Sequence, residues 1–175
     1  MKLNFEKMSQ REQKLALHGI VALRKAAEAL LSEDYDKSDR LISESDKCYK
    51  ELQKKVLTLT VSKQWLDMIA DGKKDEEYRE IKPYWVARLL QNNSNIVDVR
   101  HLALALAGRT DLLKKYIDAQ RIVLKQYTHV LFINGYRKDS PRIEKEIESI
   151  SIGKPKKGLC PDKWLDTEFF IIKFK

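Results

Sequence analysis

The first third of the chain carries a hydrophobic pattern with the period of a helix. Ser9, followed three residues later by Glu12, has the sequence of a capping box, so a first helix is predicted from about Ser9 to Ser32. Within it, apolar residues recur at helical spacing at Leu17, Ile20, Val21, Ala27 and Leu31. A second helix is predicted from about residue 36 to 54, with a narrow stripe that suits packing against the first, namely Leu41, Ser45, Cys48, Tyr49 and Leu52. The pattern predicts an N-terminal helical hairpin over residues 1–54.

From residue 55 onward the period changes to that of a strand. Threonine and aliphatic residues alternate over 55–61, which predicts a half-buried strand. A short amphipathic helix containing Trp65 follows, and Gly72 suits the left-handed residue that closes such a helix. A strand is predicted next over 76–81. Pro83 ends that strand and is well placed as the first residue of another short helix.

The middle of the chain returns to helical spacing. A polar break at 91–95 precedes helical patterns over about 97–107 and 111–125, which are separated by Gly108 and Arg109. Residues 91–125 are therefore predicted to be a helical insertion in the β-rich part of the chain.

Strand alternation resumes at Tyr127, with Val130 and Phe132 predicted to point inward and Asn134-Gly135 forming a turn. A long strand is predicted over 143–152. Its alternation changes phase between Ile147 and Ile150, which indicates a β-bulge. A last strand is predicted over 168–174. Taken together, the pattern predicts an α+β fold with a helical part at 1–54 and a mostly β part at 55–175.

The charge of the chain is concentrated in this second part. The net charge is +8, with hydrophobic residues at 43% and charged residues at 34%, which is enough apolar material for a core. Residues 1–54 carry 11 Lys and Arg against 10 Asp and Glu, whereas residues 55–175 carry 23 against 16. A basic surface of this kind favours a polyanion as partner. A solvated basic surface without such a partner stays open as the alternative.

Several classes of site are not indicated. Cys48 and Cys160 form no Cys-x-x-Cys pair, and His18, His101 and His129 have no second ligand at metal spacing, so neither a metal nor a cofactor is predicted. No apolar run approaches the roughly 20 residues that span a bilayer, and the N-terminus lacks the apolar stretch of a secretory signal. These features predict a cytoplasmic protein with no membrane partner.

The strongest chemical signal is a cluster of charges around the strand at 76–81. Glu77 and Arg79 are two residues apart and share one face of that strand, and Lys73 and Lys74 precede them. Arginine grips phosphate or carboxylate in a bidentate way, lysine supplies a mobile point charge, and glutamate accepts hydrogen bonds. A salt bridge in which Glu77 and Arg79 simply neutralise each other is the structural alternative.

The spacing Gly-x-Lys-x-x-Glu-x-Arg, which reads Gly72, Lys74, Glu77 and Arg79 here, resembles the signature of the ASCH domain, a relative of the RNA-binding PUA barrel. Further segments are similar to that family in order along residues 55–175, and those at 79–85 and 132–136 look like the form of the domain common in bacteriophage and prophage genomes. The resemblance implies a small, mostly antiparallel PUA-like β-barrel with packed helices, preceded here by the helical hairpin at 1–54 and interrupted by the insertion at 91–125.

The resemblance also implies a function, which is binding of RNA or a modified nucleotide in a basic cleft lined by the motif. On this interpretation Lys73 and Lys74 contact phosphate, while Arg79 and Glu77 contact a base or phosphate. Tyr136 and Arg137 follow the Asn134-Gly135 turn and offer a stacking ring beside a cation. Lys82 extends the basic track.

Two other classes of function remain open. Some small members of the superfamily are amidohydrolases that release acetyl from N4-acetylcytidine, and Lys74 matches their lysine. Their threonine position is occupied here by Glu77, which cannot be that hydroxyl nucleophile but could act as a general base for water. Alternatively, the chain is a phage accessory module that binds a protein partner, or a second copy of itself, through residues 1–54.

Overall fold

The computed structural model describes residues 5–92 and 104–175, and the chain divides into two compact units, 1–54 and 55–175. The first unit consists of α1 (Gln10–Leu31) and α2 (Tyr35–Leu52). The predicted capping box is confirmed, because the Ser9 side chain accepts from the Glu12 backbone N–H and the Glu12 carboxylate accepts from the Ser9 N–H. Asp34 caps α2 by accepting from the Lys37 N–H at 3.2 Å.

The two helices pack through small side chains. The buried residues of α1 are Ala16, Gly19, Ala22, Ala26 and Ala29. They meet a stripe on α2 that includes Ser45 and Cys48, and a Cβ added to Gly19 would lie 3.2 Å from the Cys48 Cβ. The large aliphatic residues at helical spacing in α1 are exposed instead. Close packing through small residues therefore leaves the larger apolar face of α1 without a partner in this unit.

The second unit alternates strands with short helices. Its strands are β1 (Val56–Thr60), β2 (Glu76–Glu80), β3 (Leu90–Asn92), β4 (Ile122–Leu124), β5 (His129–Ile133), β6 (Arg142–Gly153) and β7 (Phe169–Phe174). Its described helices include α3 (Lys63–Ala70), α4 (Pro83–Leu89) and α5 (Thr110–Asp118). The α+β class predicted from the sequence is confirmed.

Five of these strands form one mixed sheet in the order β1-β5-β6-β7-β2. β1 pairs with β5 in parallel, whereas the β5–β6, β6–β7 and β7–β2 pairs are antiparallel. The predicted bulge is confirmed as a register shift between Ile147 and Ser149 in β6. This shift falls where β6 changes partner from β5 to β7. The core includes Leu57, Leu59, Val130 and Phe132, as the alternation predicts.

The sheet is open, since β1 and β2 are its edges and do not pair with each other. The two edges nevertheless come within the length of one side chain, because Arg79 of β2 donates to the Thr60 carbonyl of β1 at 3.0 Å. The sheet is therefore strongly curved. Among the described residues it does not close into a hydrogen-bonded barrel, and its relation to the PUA barrel stays a prediction.

The predicted helical insertion at 91–125 is wrong in part. Helix α5 ends at Asp118, because Gln120 adopts a positive φ of 53° that ends the helical path. The following Ile-Val-Leu of β4 then pairs with β3, so the ends of this segment form a two-stranded antiparallel sheet. The helical pattern predicted over 97–107 lies largely outside the described residues. No helix within the described ranges is long and apolar enough to cross a membrane.

Candidate functional site

Lys74, Glu77 and Arg79, the motif residues predicted to form a site, lie together at the start of β2. Helix α3 ends at Ala70 with Asp71 as its C-cap, and Gly72 takes the left-handed conformation at a φ of 70°. The backbone N–H groups of Lys73 and Lys74 then donate back to the Met68 carbonyl at 2.9 and 3.1 Å. This turn directs the neighbouring lysines to different surroundings, since Lys73 is exposed and pairs with Asp71 whereas Lys74 is buried.

Lys74 is the most deeply buried charged residue described, with 2% of its surface exposed. Its ammonium group donates to the Leu159 carbonyl and lies 3.5 Å from a Glu77 carboxylate oxygen. It also sits 4.8 Å from the ring centroids of both Trp65 and Tyr78. Burial lowers the pKa of Lys74, and the Glu77 carboxylate partly opposes this change.

Glu77 connects Lys74 to Arg79. The Arg79 guanidinium donates to the Glu77 carboxylate, to the Tyr78 carbonyl at 2.8 Å and to the Thr60 carbonyl at 3.0 Å. The pairing of Glu77 with Arg79, one of the two interpretations open from the sequence, is thus the contact observed. We call Lys74, Glu77 and Arg79 the buried ion cluster. It holds Arg79 in place across the gap between β1 and β2.

The opposite face of β2 carries a second polar group. The Tyr78 hydroxyl donates to Glu76 at 2.9 Å and accepts from the Lys156 N–H at 3.1 Å, while the Lys156 ammonium lies 2.7 Å from Glu76. Burial raises the pKa of Tyr78 and also that of the nearby Cys160 thiol. A raised pKa disfavours the thiolate, which is the nucleophilic form of cysteine.

Helix α4 places aromatic rings and a second guanidinium beside Arg79. The Arg79 and Arg88 guanidinium carbons lie 5.1 and 5.5 Å from the centroid of the Trp85 ring, and that of Arg88 lies 5.7 Å from the Tyr84 ring. Tyr84 is exposed and Trp85 is half-buried. We call Arg79, Tyr84, Trp85 and Arg88 the edge cluster. It combines stacking rings with cations on one surface.

The free edge of β1 fixes the spacing of the edge cluster. The Thr58 carbonyl accepts from Arg88 at 2.8 Å, and the Thr60 carbonyl accepts from Arg79. Residues two apart on a strand are separated by about 7 Å, so the two guanidiniums follow each other along β1. They also satisfy carbonyls that an edge strand would otherwise leave open to another chain.

Lys125 adds a third cation to this surface. Its ammonium donates to the Ala87 carbonyl at 3.0 Å. Burial lowers the pKa of Lys125, and the positive charge of Arg88 lowers it further. Within the described residues, the groups that receive hydrogen bonds from Arg88 and Lys125 are neutral oxygens. Two neighbouring cations of this kind form an electrostatically favourable position for an anion.

The turn that carries Tyr136 begins beside the same strand end. Thr60 pairs with Ile133, and the Asn134 side chain donates to the Val61 carbonyl at 3.0 Å. Tyr136 is 94% exposed. Arg137 and Lys138, which follow it, are exposed as well. We call residues 134–140 the Tyr136 turn, and it leaves the sheet at the end of β1 that Arg79 contacts.

Lys82 is separate from the buried ion cluster, since it is exposed and pairs with Glu80. It contributes to a cleft of about 400 Å³ whose lining includes Glu80, Thr110, Trp164 and Glu168. The cleft does not include Lys74 or Glu77. Lys73 and Lys82 therefore lie outside the contacts that unite Lys74, Glu77 and Arg79.

Sequence reasoning did not single out Tyr84 or Lys125. The Tyr84–Arg88 spacing of four residues is a signal for contact on one helix face and could have revealed the edge cluster. Lys125 gave no such signal, because its neighbour Arg88 is distant in sequence. Of the histidines, His18 lies 2.6 Å from Glu44 and His129 contacts Thr128, whereas His101 lies outside the described residues.

Comparison of the chain with protein-family models, with curated proteins and with solved structures found no match of any of the three kinds.

Proposed function

We propose that residues 55–175 bind RNA or a modified nucleotide at the edge cluster and the Tyr136 turn. The observation that carries this proposal is the pair of cations at Arg88 and Lys125, bonded to neutral oxygens and set beside partly exposed aromatic rings. Phosphate contact needs such cations, and sequence-tolerant binding of single strands needs rings on which bases stack. The excess positive charge of residues 55–175 supports the same class of partner.

The resemblance of the motif to the ASCH domain favours a PUA-like barrel as the architecture behind this surface. The close approach of β1 and β2 through Arg79 supports this assignment, because a barrel brings the two edges of a sheet together. In this proposal the buried Lys74 and Glu77 orient Arg79, and Arg79 and Tyr136 contact the ligand. Arg137 contacts phosphate. Lys73 and Lys82 lie outside the buried ion cluster and add to the positive electrostatic potential around the ligand surface.

Exposed residues give the sharpest test, because the buried ion cluster also holds the fold together. Binding of a fluorescein-labelled single-stranded RNA is measured by anisotropy over a series of salt concentrations. Arg137→Gln should reduce the slope of log affinity against log salt by about 0.7, the value for one phosphate contact. Tyr136→Leu should weaken binding by about 1–3 kcal/mol, because one stacked base is lost.

Two matched variants in residues 1–54 serve as controls. Tyr35→Leu and Arg40→Gln make the same chemical changes at exposed positions of the nearly neutral unit, so affinity and salt slope should stay at wild-type values. If the Tyr136 and Arg137 variants bind as the controls do, the proposed surface is wrong. Absence of salt-dependent binding in the wild-type protein would remove nucleic acid as the partner.

Hydrolysis of acylated nucleosides is the second candidate, favoured by one observation. Lys74 has a lowered pKa and lies 3.5 Å from Glu77, which is the arrangement of a lysine and a carboxylate that could activate water. Incubation with N4-acetylcytidine, followed by chromatography, should then yield cytidine. Glu77→Gln should abolish the product while Glu80→Gln retains it, and an inactive wild-type protein would exclude this substrate.

A further inference from the structure

The cleft that Lys82 borders is built from three separate segments of residues 55–175. They are the end of β2 with the start of α4, the turn before α5, and the segment from Trp164 to Phe169. The Gly108 N–H donates to the Ile81 carbonyl at 2.9 Å, which joins the first two segments. The volume of about 400 Å³ lies in the range of small-molecule pockets. We call it the Trp164 cleft.

Two aromatic rings form one wall of the Trp164 cleft. The ring centroids of Trp164 and Phe169 lie 5.0 Å apart, with 31° between the ring planes, and Trp164 is half-buried whereas Phe169 is buried. The Thr167 N–H donates to the Trp164 carbonyl at 3.0 Å, so the segment that carries the indole is hydrogen-bonded to itself. An indole fixed from one side leaves the rest of its surface to a ligand, and flat ligand rings stack on such side chains.

Glu168 supplies a hydrogen-bond acceptor next to this wall. One oxygen of its carboxylate pairs with the Lys114 ammonium, and within the described residues the other oxygen has no hydrogen-bond partner. Both side chains are partly exposed, so the ion pair is weak. A glutamate carboxylate in such a position accepts hydrogen bonds from the amine of a base such as cytosine. The second carboxylate of the cleft, Glu80, is more exposed and pairs with Lys82.

The lining as a whole fits a flat ring that carries an amine. The ring matches the aromatic wall, and the amine matches the carboxylate of Glu168. Cytosine has this chemistry, whereas uracil has a carbonyl oxygen in place of the amine and would set that oxygen against the carboxylate. Pro83 lines the cleft, and the next residue, Tyr84, belongs to the edge cluster. A strand bound at the edge cluster therefore passes close to the cleft.

We propose that the Trp164 cleft binds one unstacked nucleobase with an exocyclic amine, its ring against Trp164 and its amine donating to Glu168. This inference rests on the proposed function for the strand that supplies the base. It goes beyond that function by giving residues 55–175 a preference for cytosine over uracil. Phosphate contacts position a strand without reading its sequence, whereas contacts with base edges read it. The cleft is in this sense the specificity site beside a phosphate-binding surface.

The first test uses free nucleosides, so it does not depend on RNA binding. Equilibrium dialysis measures the binding of radiolabelled cytidine and uridine to the full chain at millimolar concentration. Cytidine should bind about tenfold more tightly than uridine. Trp164→Leu should weaken cytidine binding about tenfold, whereas Trp164→Phe, which keeps a ring, should retain most of it. No binding of cytidine, or equal binding of the two nucleosides, would overturn the proposal.

Glu168→Gln tests the hydrogen bond without removing the ring. A glutamine can donate to uracil as well as accept from cytosine, so this variant should lose most of the preference for cytidine. Glu148→Gln is the matched control, because it also breaks an ion pair of a partly exposed glutamate with a lysine, here Lys173, outside the cleft. It should keep the wild-type preference. Circular dichroism verifies that each variant is folded. An unchanged preference in Glu168→Gln would refute the assignment of the base to this carboxylate.

The same variants are then tested with RNA. Anisotropy compares fluorescein-labelled oligocytidine and oligouridine of equal length at neutral pH. Wild type should prefer oligocytidine, and Glu168→Gln should lose this preference without a change in salt slope, because no phosphate contact is removed. Salt-dependent binding without any base preference would overturn this inference and leave the proposed function standing. Failure of both RNAs to bind, with cytidine still bound in dialysis, would instead refute the proposed function and leave the cleft as a nucleoside site.

Discussion

At the scale of single residues, the notable feature is a lysine buried in a nearly dry environment. Removing an ammonium group from water costs several kcal/mol unless nearby groups compensate. For Lys74 the compensation comes from a carboxylate, a backbone carbonyl and the faces of two aromatic rings. Glu77 serves both Lys74 and Arg79, so it neutralises part of a cluster with two cations. Loss of the Glu77 carboxylate should therefore remove the counter-charge of both Lys74 and Arg79.

We predict that Glu77→Gln lowers the free energy of unfolding by about 3 kcal/mol, because it leaves the buried Lys74 and the partly buried Arg79 without their carboxylate. Urea unfolding, followed by tryptophan fluorescence, measures this loss. Glu80→Gln is the matched control on the same strand. Its partner Lys82 is exposed, so the expected loss is below about 1 kcal/mol. Equal effects of the two variants would mean that the buried ion cluster does not stabilise the fold.

Tyr78 gives a prediction about alkaline pH. Burial raises its pKa from the ordinary 10.0, so above that pH the hydroxyl ionises in the unfolded chain while it stays protonated in the folded one. The unfolded state then binds fewer protons, and the free energy of unfolding falls as the pH rises. Tyr78→Phe should make this fall shallower, although it costs about 1–2 kcal/mol at neutral pH by removing the hydrogen bond to Glu76.

The control for this prediction is Tyr136→Phe, which removes an exposed hydroxyl. Its unfolding free energy should follow the wild-type curve at every pH. Lys74 acts in the opposite sense, since a lowered pKa makes stability rise with pH toward its ordinary 10.5. The comparison of variants with wild type separates the two contributions. Parallel curves for Tyr78→Phe and wild type between neutral pH and pH above 10 would contradict the prediction.

Residue spacing predicted the pairing of Glu77 and Arg79 but not the burial of Lys74. Two residues apart on a strand means one shared face, and this rule needs no tertiary information. Lys73 and Lys74 looked equivalent in the sequence. They differ in the structure because the Gly72 turn exposes one and buries the other, and the partner Leu159 is 85 residues away. Long-range contacts of this kind leave no local pattern.

At the scale of elements, α1 shows that an apolar period identifies a helix without identifying its buried face. Its large aliphatic residues predicted the helix correctly, yet the alanines and Gly19 are the residues that contact α2. Small side chains allow the close approach, at the cost of leaving the hydroxyls of Ser38 and Ser45 buried with no hydrogen-bond partner among the described residues. Both the small-residue face and the large aliphatic face were visible in the sequence of α1. Hydrophobicity alone predicts burial of the larger side chains, and this prediction is wrong here.

Neighbouring alanines in α1 allow a direct test of this packing. Ala26 is buried against α2 and Ala27 is exposed. We predict that Ala26→Leu lowers the free energy of unfolding by about 1–3 kcal/mol, because the larger side chain forces the helices apart. Ala27→Leu should change it by less than about 0.5 kcal/mol. Thermal unfolding followed by circular dichroism distinguishes the two, and a reversed order would place the buried face of α1 elsewhere.

The strands were easier to predict than the segment at 111–125. β1, β5 and β6 follow strict alternation, and even the bulge in β6 was visible as a change of phase. The error at 111–125 arose because Ile122 and Val123 continue the apolar spacing of α5 after the helix has ended. β-branched residues favour a strand once Gln120 reverses the chain, and pairing with β3 then determines the outcome.

At the scale of the whole molecule, charge and structure divide at the same place. The chain divides into its two compact units between residues 54 and 55, and nearly all of the excess positive charge lies in the second unit. The features that support the proposed nucleic-acid binding are also in the second unit. The proposed ligand surface therefore belongs to residues 55–175 alone.

We therefore predict that a fragment of residues 55–175 folds on its own and retains binding of the labelled single-stranded RNA. Its compact sheet has a separate hydrophobic core, so it should unfold cooperatively in urea. Its salt slope should equal that of the full chain, because the residues proposed to contact phosphate and nearly all of the excess charge are present. Loss of cooperative unfolding would show that the units depend on each other, and a folded fragment that binds RNA with a smaller salt slope would place part of the ligand surface in residues 1–54.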